Sequence, residues 1–300
     1  MRIGILSRGP QLYSTRSLYR AGQRRGHQVL IVDHTQCQFL IDNNGSEILY
    51  EDMSLSRLNA IIPRIGSSVT SLGASLIYQF ELLGIYTTTR ATALLQSRDK
   101  LRCLQKLAGA GLKVPGTAFV THSRELPGAV DQLGGFPVVI KLLESTHGVG
   151  VMLAENMRSA QTTLEAFQKL NERVMVQEFI QEARGADVRA LVVGNKVVAS
   201  MKRQARRGEF RSNLHRGATA RPVKLSTEEQ FAVVKAARSM GLAVAGVDLL
   251  RSERGPLIME VNASPGLEGI ETVTGVDVAG AIVHYLEKRQ AAFQERKRNA

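Results

Sequence analysis

The segment GVDLLRSERGPLIMEVNASPG, residues 246–266, restricts the fold of this chain more than any other stretch. Two apolar runs flank a polar turn that contains Gly255 and Pro256, a pattern typical of an antiparallel hairpin. Taking Arg254 as the centre of the turn sets the pairing of the two strands. The predicted cross-strand pairs are Val247 with Val261, Asp248 with Glu260, and Leu249 with Met259.

The acidic side chains of this hairpin indicate a cation site. Asp248 and Glu260 are predicted to lie opposite each other, and period-two alternation puts Asn262 on the same face as Glu260. Like charges across an antiparallel pair repel, and a divalent cation between them would remove the conflict. Two carboxylates and an amide oxygen are hard ligands suited to Mg²⁺ or Mn²⁺. The alternative is an ordinary hairpin whose acidic face is solvated.

The composition predicts an intracellular α/β protein with more than one domain. Three hundred residues suffice for two or three compact units, and 27 glycines favour tight turns. The two cysteines, Cys37 and Cys103, argue against a disulfide framework and favour a reducing compartment. The sequence shows neither a signal-peptide core nor an apolar run long enough to span a bilayer. We therefore expect a cytoplasmic protein with no membrane partner.

The net charge of +12 is concentrated in two segments. Residues 202–221 hold seven basic side chains against Glu209 alone, and residues 287–300 hold five basic side chains against two acidic ones. Such clusters predict anionic partners, among them phosphates, acidic peptides and nucleic acid. The first segment contains a single aromatic residue, Phe210, so it lacks the stacking platform of proteins that bind single-stranded nucleic acid.

Alternating strand and helix patterns divide the chain into three units and a tail. Residues 1–90 predict a small βαβ sheet without the glycine fingerprint of a dinucleotide-binding fold. A second unit covers residues 91–180, a third covers 181–290, and residues 291–300 form a charged tail. Further predicted features are a helix over 14–25, a hairpin turn at Asn44-Gly45, one helix through 97–111, a capping box of Ser226 and Glu229, and a terminal helix that begins at Asp277 and frays into the tail.

Two lysines and a glycine-containing loop predict contacts to phosphate. Lys141 ends the strand pattern FPVVIK, and the loop Ser145–Gly150 that follows contains Gly148 and Gly150. A lysine beside such a turn can bind phosphate oxygens while backbone N–H groups close over them. The alternative is a plain hairpin with a snorkelling lysine. Lys100 lies on the preceding helix, where most lysines are solvated.

Polar residues in two further segments complete a candidate nucleotide site. The strand end Gln177–Ile180 offers backbone groups to an adenine edge, and Asp187 offers a carboxylate to ribose hydroxyls. Asp187 could equally pair with Arg189, two residues further on. In the FRSN segment, Arg211 and Asn213 share one face of an extended chain and direct a cation and an amide towards phosphates and metal. A solvated loop or an RNA-facing patch is the alternative for that segment.

These motifs occur in the order seen in ATP-grasp carboxylate–amine ligases, and FRSN and EVNASPGLEGIE most resemble the RimK-type α-L-glutamate ligase branch. The resemblance covers the whole chain except the tail KRQAAFQERKRNA, which matches no functional element. It implies an α/β (α+β) protein with an ATP-grasp fold. Two α+β subdomains, 91–180 and 181–290, would sandwich ATP behind a small Rossmann-like N-terminal domain. The motifs in chain order are Lys100, Lys141, STHGVGV, QEFI, Asp187, FRSN, and VDLL with MEVNASPG.

The resemblance also implies a role for each motif residue. The phosphate-binding residues would be Lys100, Lys141, Ser145, Gly148, Gly150, Arg211, Ser212 and Asn213. The adenine and ribose would be held by Glu178, Phe179, Ile180 and Asp187, with Glu178 and Ile180 acting chiefly through their backbone. The ligands of two Mg²⁺ or Mn²⁺ ions would be Asp248, Glu260 and Asn262. The residues predicted to act in catalysis are Arg203, Arg211 and Asn213.

The implied reaction consumes ATP and releases ADP. A carboxylate attacks the γ-phosphate to give an acyl phosphate, and an amine then displaces phosphate to form an amide, while metal ions and cationic side chains neutralise the anions. The implied partners are L-glutamate and the C-terminal tail of the sixth small-subunit ribosomal protein, with a homo-oligomer left open and no obligate nucleic acid. From the charge placement we expect the substrate anions to contact Lys202, Arg203, Arg206 and Arg207.

Three other functions compete with this interpretation. A ligase of the same class could act on small metabolites, and a grasp-type kinase would stop at a phosphorylated hydroxyl. The high positive charge also fits an RNA-binding or ribosome-associated factor that uses ATP only as a ligand and shows salt-dependent RNA affinity. The paired carboxylates of the hairpin would gain nothing from RNA, which favours the enzyme.

Overall fold

The computed structural model describes residues 1–43, 45–143, 150–170 and 172–298. These residues form a parallel sheet, two antiparallel sheets and a small meander, with helices packed against the sheets. None of the helices in this part of the chain combines the length and the apolar composition needed to cross a bilayer.

The N-terminal unit is built on a parallel sheet. Its elements are β1 (Arg2–Leu6), α1 (Tyr13–Arg24), β2 (Gln28–Val32), β3 (Gln38–Asp42), β4 (Gly45–Tyr50), β5 (Met53–Ser54), β6 (Ala60–Pro63), α2 (Thr70–Leu82) and β7 (Tyr86–Thr87). The sheet order is β2-β1-β6-β7, with β3, β4 and β5 as a separate antiparallel meander. Asp42 pairs with Gly45, so Gly45 belongs to β4 and not to the predicted turn Asn44-Gly45; Asn44 itself lies outside the described residues.

The central unit is an antiparallel sheet with its own core. Its elements are α3 (Ala91–Arg98), α4 (Lys100–Gly109), β8 (Thr117–Val120), α5 (Leu126–Gln132), β9 (Val138–Leu142), β10 (Val151–Ala154), α6 (Met157–Lys169) and β11 (Val174–Glu178). The strand order is β10-β9-β11-β8. The apolar face of this sheet packs on α5 and α6, which leaves the other face, with Lys141 and Gln177, for a ligand.

The helix predicted through 97–111 is two helices separated at Asp99. The Asp99 backbone is extended, and its side chain accepts a hydrogen bond from the Arg102 N–H. Aspartate is a strong helix N-cap, so this residue ends α3 and begins α4, with Lys100 in the first position. Ala91, Ala93, Leu94, Cys103 and Leu107 of these helices pack in the core shared with the C-terminal sheet. This core also includes residues of the N-terminal unit, while Leu104 of α4 packs against Leu143 and Met175 of the central unit.

The C-terminal unit is a five-stranded antiparallel sheet. Its elements are β12 (Ala186–Val193), β13 (Lys196–Gln204), β14 (Thr219–Pro222), α7 (Thr227–Ser239), β15 (Val244–Ser252), β16 (Gly255–Asn262), α8 (Glu268–Thr274) and α9 (Val278–Arg298). The strand order is β14-β13-β12-β15-β16. Both halves of the predicted capping box of α7 are present: the Ser226 side chain accepts from the Glu229 N–H, and the Glu229 side chain from the Ser226 N–H.

The predicted hairpin register is correct at the acidic pair and shifts by one residue beyond it. Asp248 pairs with Glu260, but Leu249 pairs with Ile258 and not with Met259. A bulge at this point takes up the extra residue on β16. The turn consists of Glu253 and Arg254, so its centre lies between these two residues and not at Arg254 as predicted. This difference of half a residue shifts the pairing near the turn. The bulge therefore lies next to the acidic pair.

The terminal helix does not fray where the sequence predicts. α9 continues to Arg298, so residues 291–298 are helical. Its first turns are held by buried contacts of Ile282, Val283 and Leu286 with the N-terminal sheet. This packing joins the N-terminal and C-terminal units.

Candidate functional site

One cleft between the central and C-terminal sheets collects most of the predicted site residues. The predicted residues that line it are Lys100, Lys141, Glu178, Phe179, Ile180, Asp187, Arg203, Arg211, Ser212, Asn213, Asp248, Glu260 and Asn262. Gly150 is not among the residues that line the cleft; its φ of +65° explains the glycine, since other residues are strained there. Ser145 and Gly148 lie outside the described residues.

The acidic residues of the hairpin meet as predicted, but they differ in exposure. Asp248 is buried, with 3% of its side chain exposed, whereas 47% of the Glu260 side chain is exposed. The Asn262 Nδ2–H group donates to Oε1 of Glu260 at 3.0 Å. Of the three predicted metal ligands, Glu260 and the amide oxygen of Asn262 are therefore more accessible to a metal ion than Asp248.

The cation that faces both carboxylates is Arg189. Its Nε and Nη2 groups donate to the two oxygens of Asp248 at 2.7 and 2.6 Å, and Nη2 lies 4.0 Å from Oε1 of Glu260. Arg189 thus offsets part of the repulsion between Asp248 and Glu260, and the metal role of the two carboxylates stays a prediction. Two carboxylates and an amide oxygen still form a donor set that fits a hard divalent cation. No group of three His, Cys, Asp or Glu side chains with metal-site geometry occurs in the described parts of the chain.

A buried ionic cluster lies beneath these residues. Nε and Nη2 of Arg203 donate to the two oxygens of Asp187 at 2.7 and 2.5 Å, and Nη2 also donates to Asp248 at 2.9 Å. Ser212 Oγ donates to Asp187 at 2.6 Å. Burial alone would raise the pKa of Asp248, but Arg189 and Arg203 hold that pKa well below its usual range. The alternative pairing of Asp187 with Arg189 is wrong.

This cluster changes the interpretation of two predicted residues. Asp187 is 5% exposed and its carboxylate accepts three hydrogen bonds, so it has little capacity left for ribose hydroxyls. Arg203 is 4% exposed and neutralises both buried aspartates. Both residues lie at the floor of the cleft and orient its acidic groups.

The basic segment does not act as one surface. Lys202 and Arg203 are successive residues of β13, so their side chains point to opposite faces of the sheet. Arg206 is exposed and donates from Nε to the Gly217 carbonyl oxygen at 2.8 Å. Strand alternation therefore separates Lys202 from Arg203, and the contact of Lys202, Arg203, Arg206 and Arg207 with substrate anions stays a prediction.

Lys141 projects from the central sheet into the cleft. Its Nζ donates to Oε1 of Gln177 on the neighbouring strand at 2.6 Å. Burial lowers the pKa of Lys141, and Glu260 across the cleft opposes this effect. Lys100 Nζ donates to the carbonyl oxygens of Leu142 and Leu143 at 2.9 and 2.8 Å, at the start of the loop that follows β9. Both ammonium groups are thus held at the same end of the central sheet.

The end of β11 has the geometry expected for an adenine edge. The Glu178 carboxylate accepts from the Gly116 N–H at 2.5 Å and from Arg254 at 2.7 Å, so its side chain is already engaged. The Ile180 carbonyl accepts from the Ala183 N–H, while the Ile180 N–H has no hydrogen-bond partner among the described residues. The Phe179 ring lies edge-on to another aromatic ring, that of Phe210, at 6.2 Å between centroids.

Arg211 connects the two walls of the cleft. Its guanidinium forms an ion pair with Glu209 at 2.7 Å and donates to the Val151 carbonyl oxygen on β10 at 3.3 Å. The hydrogen bond from Arg211 outweighs the opposing effect of burial and lowers the pKa of Glu209 to about 2, so this pair stays charged at neutral pH. Asn213 lies two residues further, at the start of a 3₁₀ turn. The FRSN segment therefore covers the cleft as predicted, but it is also tied to β10.

Sequence reasoning gave no site role to two residues, Arg189 beside the acidic pair and Cys103 in the lining of the cleft. Arg189 shares a face of β12 with Asp187 because the two are separated by two positions, and the same alternation used for Glu260 and Asn262 would have placed it there. Cys103 lines the cleft from α4, which no local pattern indicates. Burial raises the pKa of the Cys103 thiol to about 11, so it is neutral and unsuited to nucleophilic attack.

Comparisons with known protein families and sequences agree with this geometry. The RimK-like ATP-grasp domain matches residues 97–286, and the RimK PreATP-grasp domain matches residues 1–94. A protein of Ectopseudomonas mendocina named probable alpha-L-glutamate ligase is 52% identical over 99% of this chain and 98% of its own length. A protein of Azotobacter vinelandii with the same name is 52% identical over 96% of each chain.

Solved structures show the same fold at low sequence identity. The ATP-grasp ligase PsnB, complexed with a variant of its minimal precursor, Mg and ADP, gives a TM-score of 0.76 at 19% identity over 97% of this chain and 98% of that chain. The RimK domain ATP-grasp protein of Sphaerobacter thermophilus gives 0.70 at 22% identity over 95% and 99%. The fold is therefore the predicted ATP-grasp fold with an N-terminal pre-ATP-grasp domain. With family domains matched over nearly its whole length and relatives at 52% identity, this chain belongs to the RimK-like ATP-grasp ligase family.

Proposed function

We propose that this protein is an ATP-dependent α-L-glutamate ligase that joins glutamate to the carboxyl end of a protein acceptor. The relatives named probable alpha-L-glutamate ligase support the substrate. The observation that carries the proposal is the cleft in which Lys141 of the central sheet faces the Asp248–Glu260 pair of the C-terminal sheet. A cation on one wall and acidic groups on the other suit a nucleotide triphosphate with a divalent metal between them.

The proposed nucleotide position follows the cleft from β11 to the hairpin. The Ile180 N–H and backbone of Glu178 would bind the adenine edge, and Phe179 would pack against the base. Lys100 and Lys141 would bind the phosphates. The Mg and ADP in the PsnB complex support a nucleotide with a divalent ion in this fold.

Glu260 and Asn262, with Asp248 behind them, would hold Mg²⁺ or Mn²⁺, one ion or two. When bound, such an ion supplies positive charge to the phosphate oxygens. Arg189 already forms ion pairs with Asp248, so Asp248 would share its oxygens between the arginine and the metal. Arg203 would keep Asp248 ionised and oriented rather than contact the substrate, and is therefore a positioning residue.

The proposed reaction has two steps. An oxygen of the acceptor carboxylate attacks the γ-phosphorus, the bond to ADP breaks, and an acyl phosphate forms. The glutamate amine then attacks the acyl carbon, phosphate leaves, and the amine loses a proton as the amide forms. Arg211 and Asn213 lie over the cleft, where they would stabilise the phosphoryl charge. The acceptor would be the C-terminal tail of the sixth small-subunit ribosomal protein.

The test is mass spectrometry of that ribosomal protein after incubation with the enzyme, Mg-ATP and glutamate, combined with an ADP assay. A mass gain of one glutamyl unit per ADP released supports the proposal. A phosphate-sized mass gain would indicate a kinase instead. ADP release that needs glutamate and a small carboxylate but ignores the protein would indicate a ligase for metabolites. RNA binding without ADP release would refute an enzyme.

A further inference from the structure

Three arginines lie near the acidic end of the cleft, and none of them forms an ion pair with an acidic side chain in the part of the chain that the structure describes. Arg8 follows β1 and Arg64 follows β6, two neighbouring strands of the parallel sheet. From β1 the chain moves to β2 on one side and later to β6 on the other, so the strand order reverses between β1 and β6. In open parallel sheets the crevice beyond such a reversal, at the carboxyl ends of the strands, is where ligands bind. Arg98, at the end of α3, approaches from the opposite side.

The loop that follows β16 contacts this crevice. Arg64 Nη2 donates to the Pro265 carbonyl oxygen at 2.7 Å, and Arg98 Nη2 donates to the Ile65 carbonyl oxygen at 2.6 Å. A Cβ atom at Gly66 would lie 3.0 Å from Nη2 of Arg8, so the glycine leaves room for that guanidinium. The three arginines thus surround the segment that follows β6.

Several buried polar atoms in this region have no hydrogen-bond partner among the described residues. They are Nε of Arg98, Oγ of Ser264 and both ring nitrogens of His34, which is 1% exposed. Burial lowers the pKa of His34 against the opposing charge of Asp33, and Arg8 adds to the lowering, so the ring is neutral and carries one N–H donor. Unsatisfied buried donors are costly, which indicates that a ligand completes their hydrogen bonds.

The charges of Arg64 and Arg98, like the unpaired polar atoms, indicate that an anionic ligand binds here. Burial, and after it the charge of Arg98, lowers the pKa of Arg64 to about 10, so Arg64 stays protonated at neutral pH. Within the described residues, neither arginine forms an ion pair with an acidic side chain. Burial lowers the pKa of Arg98 and the charge of Glu260 opposes this effect, which locates the cluster beside the acidic end of the cleft. Arg64 and Arg98 are half-buried, and two neighbouring cations without an anion repel each other, so a substrate anion is the expected partner.

We propose that Arg64 and Arg98, with Arg8 at the rim, form a subsite that binds a non-reacting carboxylate of the substrate; this rests on the proposed ligase function. Guanidinium groups bind carboxylates through two parallel hydrogen bonds, and each arginine has donors left beyond its carbonyl contact. Both substrates of a glutamate ligase carry such a carboxylate: free glutamate has two, and the acceptor has those of its terminal residues. The subsite would hold either one within reach of the phosphates bound by Lys141.

The experiment compares Arg64→Met and Arg98→Met with the wild-type protein. In steady-state assays the Michaelis constants for ATP, glutamate and a peptide acceptor ending in glutamate are measured separately. Loss of a charge-assisted pair should raise the constant for glutamate or for the acceptor by about tenfold or more, and leave that for ATP within about twofold. Which constant rises identifies the source of the carboxylate. Arg124→Met, at an exposed position of the central unit, is the matched control.

A thermal-shift measurement gives a readout without turnover. Glutamate or the acceptor peptide, added with Mg-ADP, should raise the melting temperature of the wild-type protein and of Arg124→Met, but not of Arg64→Met or Arg98→Met. Without ligand the two variants should melt no lower than wild type, since an unpaired buried charge has been removed. Arg64→Lys keeps the positive charge but cannot form two parallel hydrogen bonds to a carboxylate. This variant should retain part of the ligand-induced rise in melting temperature.

The subsite and the proposed function fail in different ways. Wild-type protein that releases no ADP with glutamate and acceptor refutes the ligase, and the subsite is then judged by the thermal shift alone. Variants whose constants for both substrates stay within about twofold, or whose thermal shifts match wild type, overturn the subsite and leave the ligase standing. A wild-type protein whose melting temperature is unaffected by either carboxylate also overturns it.

Discussion

Arg189 and Asp248 face each other across the neighbouring strands β12 and β15, and the guanidinium donates to both carboxylate oxygens, at 2.7 and 2.6 Å. Glu260 follows on the next strand, so a cation and two carboxylates occupy adjacent positions of one sheet face. This arrangement keeps Asp248 ionised and in place whatever binds above it. The two acidic groups therefore differ in role. Asp248 is buried and held in a fixed orientation, whereas Glu260 is accessible and can bind a ligand.

Arg203→Met should destabilise the fold strongly. The substitution leaves Asp187 and Asp248 buried with fewer cationic partners, and breaking a buried ion pair in this way costs about 3–5 kcal/mol. Urea unfolding at neutral pH measures the loss. Arg206→Met, at an exposed position three residues along the chain, is the control and should change the unfolding free energy by less than about 0.5 kcal/mol. Equal stability of the two variants would mean that the buried cluster contributes little.

Glu260→Gln should abolish turnover without loss of stability. The side chain is about half exposed, and if it binds the metal its removal should reduce Mg-dependent ADP release by about 100-fold or more. Glu253→Gln, in the turn of the same hairpin, should keep wild-type activity. Unchanged Mg dependence in Glu260→Gln would contradict the metal role.

Lys141→Met should weaken nucleotide binding while leaving the free protein at least as stable as before. Because burial lowers the pKa of Lys141 in the folded state, the unfolded chain binds more protons between that pKa and 10.5, and stability rises with pH across this range. The variant should lose both this rise and the increase in melting temperature produced by Mg-ADP. Lys106→Met removes a comparable lysine–glutamine contact at the surface and should retain both.

Glu287 should contribute to stability above about pH 4.5 and lose that contribution in acid. Its hydrogen bond with Arg25 outweighs burial and, with His27 and His284, lowers the pKa of Glu287 to about 2. Protonation between pH 4.5 and 2 therefore weakens the contact between the end of α1 and α9. Glu287→Gln should be less stable than wild type at pH 7 by about 1 kcal/mol, after allowance for solvent screening, and equal to it near pH 2. Urea unfolding across this range tests the convergence; a constant difference would contradict the assignment.

Much of the fold could be predicted because its signals are local. Helix caps and strand alternation identified the capping box of α7 and the pairing of Asp248 with Glu260. The errors at Asp99, at Gly45 and at the bulge beside Leu249 are each small shifts, because a single side-chain cap or one extra residue decides them. Resemblance to a family then supplied the architecture that local patterns leave open.

The sequence by itself determined which residues alternate onto one strand face and therefore that Asp248, Glu260 and Asn262 belong together. Only the tertiary structure decided what each charged group faces. Arg203 is buried between two aspartates, and Arg189 lies beside the acidic pair. Arg64 and Arg98 come together from separate units, and neither pairs with an acidic side chain among the residues that the structure describes. The reason is physical: alternation is a property of neighbouring residues, whereas charge pairing depends on distances between segments far apart in the chain, which form only when the sheets pack.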